Sequence, residues 1–214
     1  MKMEVNLENE VLVLTDLIKF FEPSFVNYKY TKHLPYNHIG ATITDLILQA
    51  GLNYRTVVYP RVYRILNDYN YYGTTSKFIE LADCLSLNTV INWNNTEKIK
   101  RIESILELLK TENVETEDDL RDWIIYNDNI IKLLNIPGIG NKTVDYLKKL
   151  LGLPSVPIDR HLYKFLEIAG ARIKNHRHAN YLYCEASSIL KMDQCELDYY
   201  IWNLMSSIYD SKYY

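Results

Sequence analysis

Residues 133–147 read Leu133-Leu134-Asn135-Ile136-Pro137-Gly138-Ile139-Gly140-Asn141-Lys142-Thr143-Val144-Asp145-Tyr146-Leu147. Apolar residues at helical spacing stand on both sides of a Pro-Gly-Ile-Gly break. The proline stops the first helix, and the two glycines let the backbone turn tightly and approach a ligand with no Cβ in the way. A turn that feeds straight into a helix aims several N–H groups outward at the positive end of the helix dipole. That arrangement suits a phosphate group.

Outward from this turn the apolar spacing stays helical. Val11 to Phe21 carries Val13, Leu14, Leu17, Ile18 and Phe21 at helical offsets, and His38 to Ala50 carries Ile39, Ile43, Leu46 and Ile47. Further helices are expected at 54–67, 75–85, 96–110, 116–125 and 128–134, then at 141–151, 159–168, 176–190 and 193–208. Several open on Ser, Thr, Asn or Asp; Thr116-Glu117-Asp118-Asp119 also sets acidic residues at the positive end of its dipole. No repeat, Pro- or Ser-rich linker or low-complexity tract interrupts the pattern. The expected fold is all-α, about ten helices in two lobes divided by packing. One lobe, residues 35–150, would be barrel-like and contain the turn; the other would join 1–34 to 151–214. An active cleft is expected between them.

Composition agrees with long continuous elements. The 214 residues are 48% hydrophobic and 13% aromatic, enough for a sizeable core, and hold only seven Gly and six Pro, too few for a turn-rich β fold. The first residues show no signal-peptide pattern, and no apolar run approaches the roughly 18 to 20 residues of a membrane span. A soluble, intracellular (cytoplasmic) protein with no membrane partner is expected. Cys84, Cys184 and Cys195 are odd in number and lack a C-x-x-C spacing, so buried or inert thiols are expected rather than disulfides or structural zinc. The net charge of -3 is not a basic footprint, but residues 142–177 hold eight Lys and Arg against three Asp and Glu. The rest of the chain is correspondingly acidic. Such asymmetry can present one positive face to a polyanion, although a merely solvated charged face is the plain alternative.

A second segment, Val156-Pro157-Ile158-Asp159-Arg160-His161-Leu162, sets an aspartate before a run of helical spacing. Taken alone, Asp159 is a helix N-cap. Together, Ile136–Leu147 and this apolar-Asp-x-His-apolar segment resemble the helix-hairpin-helix DNA glycosylase superfamily, endonuclease III in particular. The interval from Lys142 to Asp159 is about that family's, allowing one residue of loop difference. The resemblance implies a base-excision glycosylase that flips a damaged or mismatched base out of duplex DNA, with Lys142 and Asp159 as catalytic residues. Breaking a base–sugar bond develops positive charge at the sugar C1′, which a carboxylate such as Asp159 stabilises. An amine such as Lys142 attacking C1′ leaves a Schiff base, from which β-elimination cuts the strand. Lys142 could instead be a phosphate contact, as in nonenzymatic modules with this turn. Two alternatives therefore stay open: a monofunctional glycosylase in which Asp159 activates water, and a catalytically silent DNA-binding protein.

The resemblance also implies DNA contacts at Gly138, Ile139, Gly140, Asn141 and Thr143 of the turn and at Arg160 and His161 beside the aspartate. Gln49 ends a helix where the family fills the gap left by a flipped nucleotide. Trp93, in Ile91-Asn92-Trp93-Asn94-Asn95-Thr96, stands where the family wedges an apolar side chain into the duplex, though core packing is the ordinary fate of a tryptophan. Endonuclease III carries four C-terminal cysteines for an iron-sulfur cluster; here only Cys184 and Cys195 lie in that region, which excludes the cluster on ligand count. No cofactor is required, and a monovalent cation at the hairpin carbonyls is implied by resemblance alone. His161, His176 and His178 lack a nearby carboxylate pattern and read as surface or phosphate-contact residues, with no metal site. The expected partner is double-stranded DNA holding a lesion or abasic site, bound by a monomer.

Overall fold

The computed structural model describes residues 2–209, with side chains from Leu7 onward. Among these residues the secondary structure is all helix: α1 Lys2–Phe25, α2 Ile39–Leu48, α3 Tyr59–Asp68, α4 Thr75–Leu85, α5 Leu87–Ile91, α6 Thr96–Thr111, α7 Glu117–Trp123, α8 Asn127–Leu134, α9 Asn141–Leu150, α10 Arg160–Ile168, α11 His176–Leu190 and α12 Gln194–Tyr209. A π-helical turn, Tyr54–Val58, runs directly into α3. No described helix is long and apolar enough to cross a membrane. The chain divides into two compact units, His33–Leu153 and the combination of Met1–Lys32 with Pro154–Tyr214.

In the unit His33–Leu153, α2 is the central element. All ten of its residues are buried, and α3, α4, α6 and α9 pack around it. A helix covered on every side needs apolar or small residues all round, and Ile-Gly-Ala-Thr-Ile-Thr-Asp-Leu-Ile-Leu meets that demand at every position but Asp45. Its N-terminus is fixed by His38, whose Nδ1 accepts the Ala41 N–H at 3.2 Å. The other ring nitrogen must then carry the proton, and it lies 3.1 Å from the Tyr69 carbonyl as a donor. Burial lowers the pKa of this histidine, in keeping with a neutral ring. Glu117, at the start of α7, is also buried; it accepts the Asn37 N–H at 2.7 Å and the Thr42 hydroxyl, tying α7 to α2.

The surrounding helices follow amphipathic rules. In α6 the buried residues Ile99, Ile102, Ile105, Leu106 and Leu109 recur at three- and four-residue steps. The Asn95 side chain caps its start, and α7 opens on a capping box between Thr116 and Asp119. The short α5 has no counterpart in the sequence expectations. Its five residues are too few to show a period, and it is bounded by Ser86 and Asn92, both at positive φ.

In the other unit α1 packs on α11, and α10 on α12. Its core joins Leu14 and Ile18 of α1 to Leu162 and Phe165 of α10, Leu182 and Tyr183 of α11, and Leu197 and Ile201 of α12. The Tyr183 hydroxyl donates to the Leu162 carbonyl at 2.8 Å, so even this fully buried phenol is satisfied. Helix α1 extends well beyond Val11–Phe21 and runs through Pro23 in its last turn. The expectation of buried thiols holds for Cys195 but not for Cys84, which is exposed on α4; Cys184 is intermediate.

Gly40 sets the closest approach to α2. A Cβ there would lie 2.3 Å from the Phe78 ring, and Phe78 has no exposed surface into which to retreat. Gly40→Ala should lower stability by about 1–3 kcal/mol through overpacking. Gly140→Ala, where an added Cβ meets nothing within 4 Å, should be far milder. Chemical denaturation of the two variants checks the contrast, and equal stabilities would refute it.

Candidate functional site

The segment Asn135–Gly140 joins α8 to α9 as a tight turn. The Ile139 N–H donates to the Ile136 carbonyl at 3.0 Å across Pro137 and Gly138, and Gly138 takes φ +87, a conformation open mainly to glycine. Arg101 of α6 braces the turn from outside, its Nε donating to the Pro137 carbonyl at 3.1 Å. The carbonyls of Ile136 and Pro137 are thus both hydrogen-bonded, the second by a cationic side chain. Ile139 points inward and is buried with Val144 and Leu147, so its side chain anchors the turn and offers no ligand contact. Gly138, Gly140, Asn141 and Lys142 are exposed, and Thr143 is half-buried.

Helix α9 starts without a side-chain cap at Gly140. By contrast His38, Thr74, Asn95, Thr116, Asp159 and Asn175 cap α2, α4, α6, α7, α10 and α11 with their own side chains. The starts of α3 at Val58 and α8 at Tyr126 are likewise without a side-chain cap, and in the first turn of α9 the Thr143 N–H donates to the Gly140 carbonyl at 2.9 Å. Lys142 stands in that first turn.

One turn further along the same face of α9, Tyr146 reaches a group that sequence reasoning did not single out. Its hydroxyl donates at 3.0 Å to Asp45, which has no exposed surface. Two more phenols converge on this carboxyl, Tyr36 at 2.6 Å and Tyr54 at 3.2 Å, and the Tyr36 and Tyr54 hydroxyls lie 3.2 Å apart. Burial pushes the Asp45 pKa above its ordinary value, against the three hydrogen bonds that pull it down. Burial and the nearby carboxylate push Tyr54 up to about 12 and raise Tyr36 further. The available sequence signal was a lone carboxylate in an otherwise uncharged, largely apolar run, four residues before Gln49 and so on the same face of α2.

Gln49 is the C-cap of α2 and half-buried. Beside it the Lys98 ammonium donates to the carbonyls of Ile47 (2.7 Å) and Ala50 (2.8 Å), closing the α2 C-terminus where cations are favoured. Trp93 lies against the core with the Arg61 guanidinium 4.7 Å over its ring. A wedging role at Trp93 would first have to break that stack.

In the second unit Asp159 is the N-cap of α10; its Oδ1 accepts the N–H of His161 at 2.8 Å and of Leu162 at 3.2 Å. The preceding Val156 and Ile158 are buried, so the aspartate projects from an anchored strand of chain and stays half-exposed. Arg160 is exposed. The surface reading of the histidines needs correction. His161 is buried edge-on against Trp202, and His178 is buried with its Nε2 3.1 Å from Glu10 Oε2 of α1; His176 is half-buried. Glu10 is too distant in sequence to have appeared as a local carboxylate pattern. Among the described residues no cluster of three His, Cys, Asp or Glu side chains could hold a metal ion.

Residues 36–206 match a family described as a domain of unknown function, DUF8548. The chain belongs to that family. The match runs from Tyr36 of the Asp45 cage to Ser206 of α12 and takes in both Lys142 and Asp159. No curated protein and no solved structure matches the DUF8548 chain.

The raised Asp45 pKa fixes a direction for pH dependence. A carboxyl that binds its proton more tightly when folded contributes stability that is full below its ordinary value of 3.8. That contribution is lost as pH rises through the folded value. Asp45→Asn removes the ionisation while keeping polar partners for the phenols. Between about pH 4 and pH 8, thermal unfolding should show wild type losing stability relative to Asp45→Asn as pH rises; parallel profiles would contradict the raised pKa.

Proposed function

We propose that this chain is a DNA base-excision glycosylase with associated abasic-site lyase activity. In this scheme α8, the Asn135–Gly140 turn and α9 serve as a helix-hairpin-helix. The observation that carries the proposal is the braced turn with positive φ at Gly138, feeding an uncapped helix that presents exposed Lys142 in its first turn. Backbone amides at such an end can hold a DNA phosphate whatever the sequence, and a phosphate contact there sets the register of the strand. The basic run 142–177 supplies the long-range attraction that the overall charge does not.

The Lys142 amine attacks the C1′ of the target deoxyribose, and the base leaves with the electrons of the glycosidic bond. Loss of a proton from nitrogen and opening of the sugar give an iminium, from which loss of the C2′ proton expels the 3′ phosphate. The Asp159 carboxylate stabilises the positive charge that builds up at C1′. Its place at the head of α10 holds it in one orientation, because one oxygen is committed to two backbone N–H groups. Catalysis by this pair requires both side chains to reach one nucleotide on the bound DNA. The substrate is duplex DNA with a damaged base or an abasic site.

A second reading draws on Asp159 alone. The same residues allow a reaction without the amine, in which the half-exposed Asp159 carboxylate activates water for attack on C1′. Base release without a covalent intermediate would follow.

Borohydride trapping on a duplex with one abasic site should give a covalent adduct with wild type and none with Lys142→Ala. Asp159→Asn keeps a capping side chain but loses the charge, so it should fold normally and release base about 10²–10³-fold more slowly. Base release by Lys142→Ala without an adduct from either protein would favour the water-activating reading. Intact duplexes throughout a panel of lesion and abasic substrates would remove both.

A further inference from the structure

The outer face of the Tyr54–Val58 turn and α3 is built from tyrosine and arginine. Tyr59 and Tyr63 are 51% and 55% exposed, one helical turn apart, with ring centroids separated by 5.8 Å; Tyr54 lies 6.5 Å from Tyr59 and extends the row. The rings are tilted by 35° and 43° and so do not close face to face on one another. Helix α3 buries only Val62 and Ile65, which leaves the aromatic row outside the core.

Charge on this face is mainly positive. From Asn53 to Asn67 the chain has Arg55, Arg61 and Arg64 and no Asp or Glu. Helix α5, packed on α3, carries no charged residue, and the single charge of α2 is the buried Asp45. Arg64 pairs with Asp68 at the far end of α3, at 3.5 Å. Arg61 is spent on structure, its guanidinium donating to the carbonyls of Val57 and Asn92. Arg55 is exposed, four residues before Tyr59. The row also has an inner end: Tyr54, half out on the surface, hydrogen-bonds to Asp45 through its hydroxyl.

We propose that this face is a stacking platform for unpaired bases of single-stranded DNA, with Tyr59 and Tyr63 taking the bases and Arg55 the backbone phosphates. Exposed aromatic rings interleaved with cations bind single strands because every base has a π face and every linkage a negative charge. An apolar protein partner would gain little from a face that carries arginines and whose rings all bear hydroxyls. The choice of DNA over RNA rests on the glycosylase proposal; the stacking chemistry does not. Unpaired nucleotides beside an extruded base would be the natural occupants.

The test is fluorescence anisotropy of a labelled oligothymidylate of about twelve nucleotides, within the span that single-strand sites cover. Wild type should bind with strong salt dependence, and Tyr59→Ala/Tyr63→Ala should weaken binding by about tenfold or more, as loss of stacking does. Tyr59→Phe/Tyr63→Phe keeps both rings and should bind like wild type. Both positions are more than half exposed, so unchanged thermal unfolding of the variants verifies that the fold is intact. Absent binding, or equal affinity in the alanine variant, overturns the proposal. A preference for oligouridylate overturns it in favour of RNA. Self-association lost on alanine substitution, without oligothymidylate binding, makes the face a contact between copies. Borohydride trapping of the Tyr59→Ala/Tyr63→Ala variant on the abasic duplex is read separately from the anisotropy, so trapping and stacking succeed or fail separately.

Discussion

A carboxyl group with no exposed surface has to be answered from inside the protein, and in this chain Asp45 imposes that constraint on everything around it. An unsatisfied buried carboxyl would cost several kcal/mol, so its partners must be held in place by the fold. Three phenols meet the demand, from three separate places: Tyr36 ahead of α2, Tyr54 in the π-helical turn and Tyr146 on α9. Each bond fixes one neighbour against the central helix. Tyr54 is the first residue of the π-helical turn that runs into α3, so its bond to Asp45 ties that turn to the central helix. Burial wins over the hydrogen bonds in setting the proton affinity and raises it above the ordinary carboxylate value.

The second constraint is the way helices begin. Most of the longer helices end their exposed amides on a side chain of their own, and α9 does not. Its preceding turn is nevertheless held firmly, by the Ile136–Ile139 hydrogen bond, by the buried Ile139 and by Arg101. In the proposed function this turn takes a DNA phosphate, and a turn already held in place costs little further entropy on binding. At Asp159 the logic is reversed. There the side chain is the cap, and the carboxylate that completes α10 is fixed in direction by the two N–H groups it accepts. The capping role is the one the structure shows, and a substitution that preserves the cap isolates it from the catalytic role proposed for the same group.

Much of the helical layout was legible in the sequence because periodicity and punctuation are local. The spans expected at 75–85 and 176–190 are those of α4 and α11, where Thr74 and Asn175 supply the caps. Helix α5 was not legible, being shorter than two turns. The N-terminal helix was underestimated because Pro23 is tolerated within its last turn. In the candidate site, residues named by a motif were visible, whereas Asp45, Tyr36 and Tyr146 were not. Nothing in the spacing of three tyrosines up to 110 positions apart says that they meet at one carboxyl. Burial of His178 escaped for the same reason, as its carboxylate neighbour Glu10 is on the first helix.

The sequence by itself determined an all-helical chain, the Pro-Gly-Ile-Gly turn with Lys142 behind it, and an aspartate at the head of a helix. These depend on backbone preferences and on neighbours within a few residues. Tertiary structure decided which polar groups are buried, which helix is central, and which tyrosines serve the interior and which the surface. Those properties belong to pairs of residues brought together by packing, and a one-dimensional pattern records only where each residue stands along the chain.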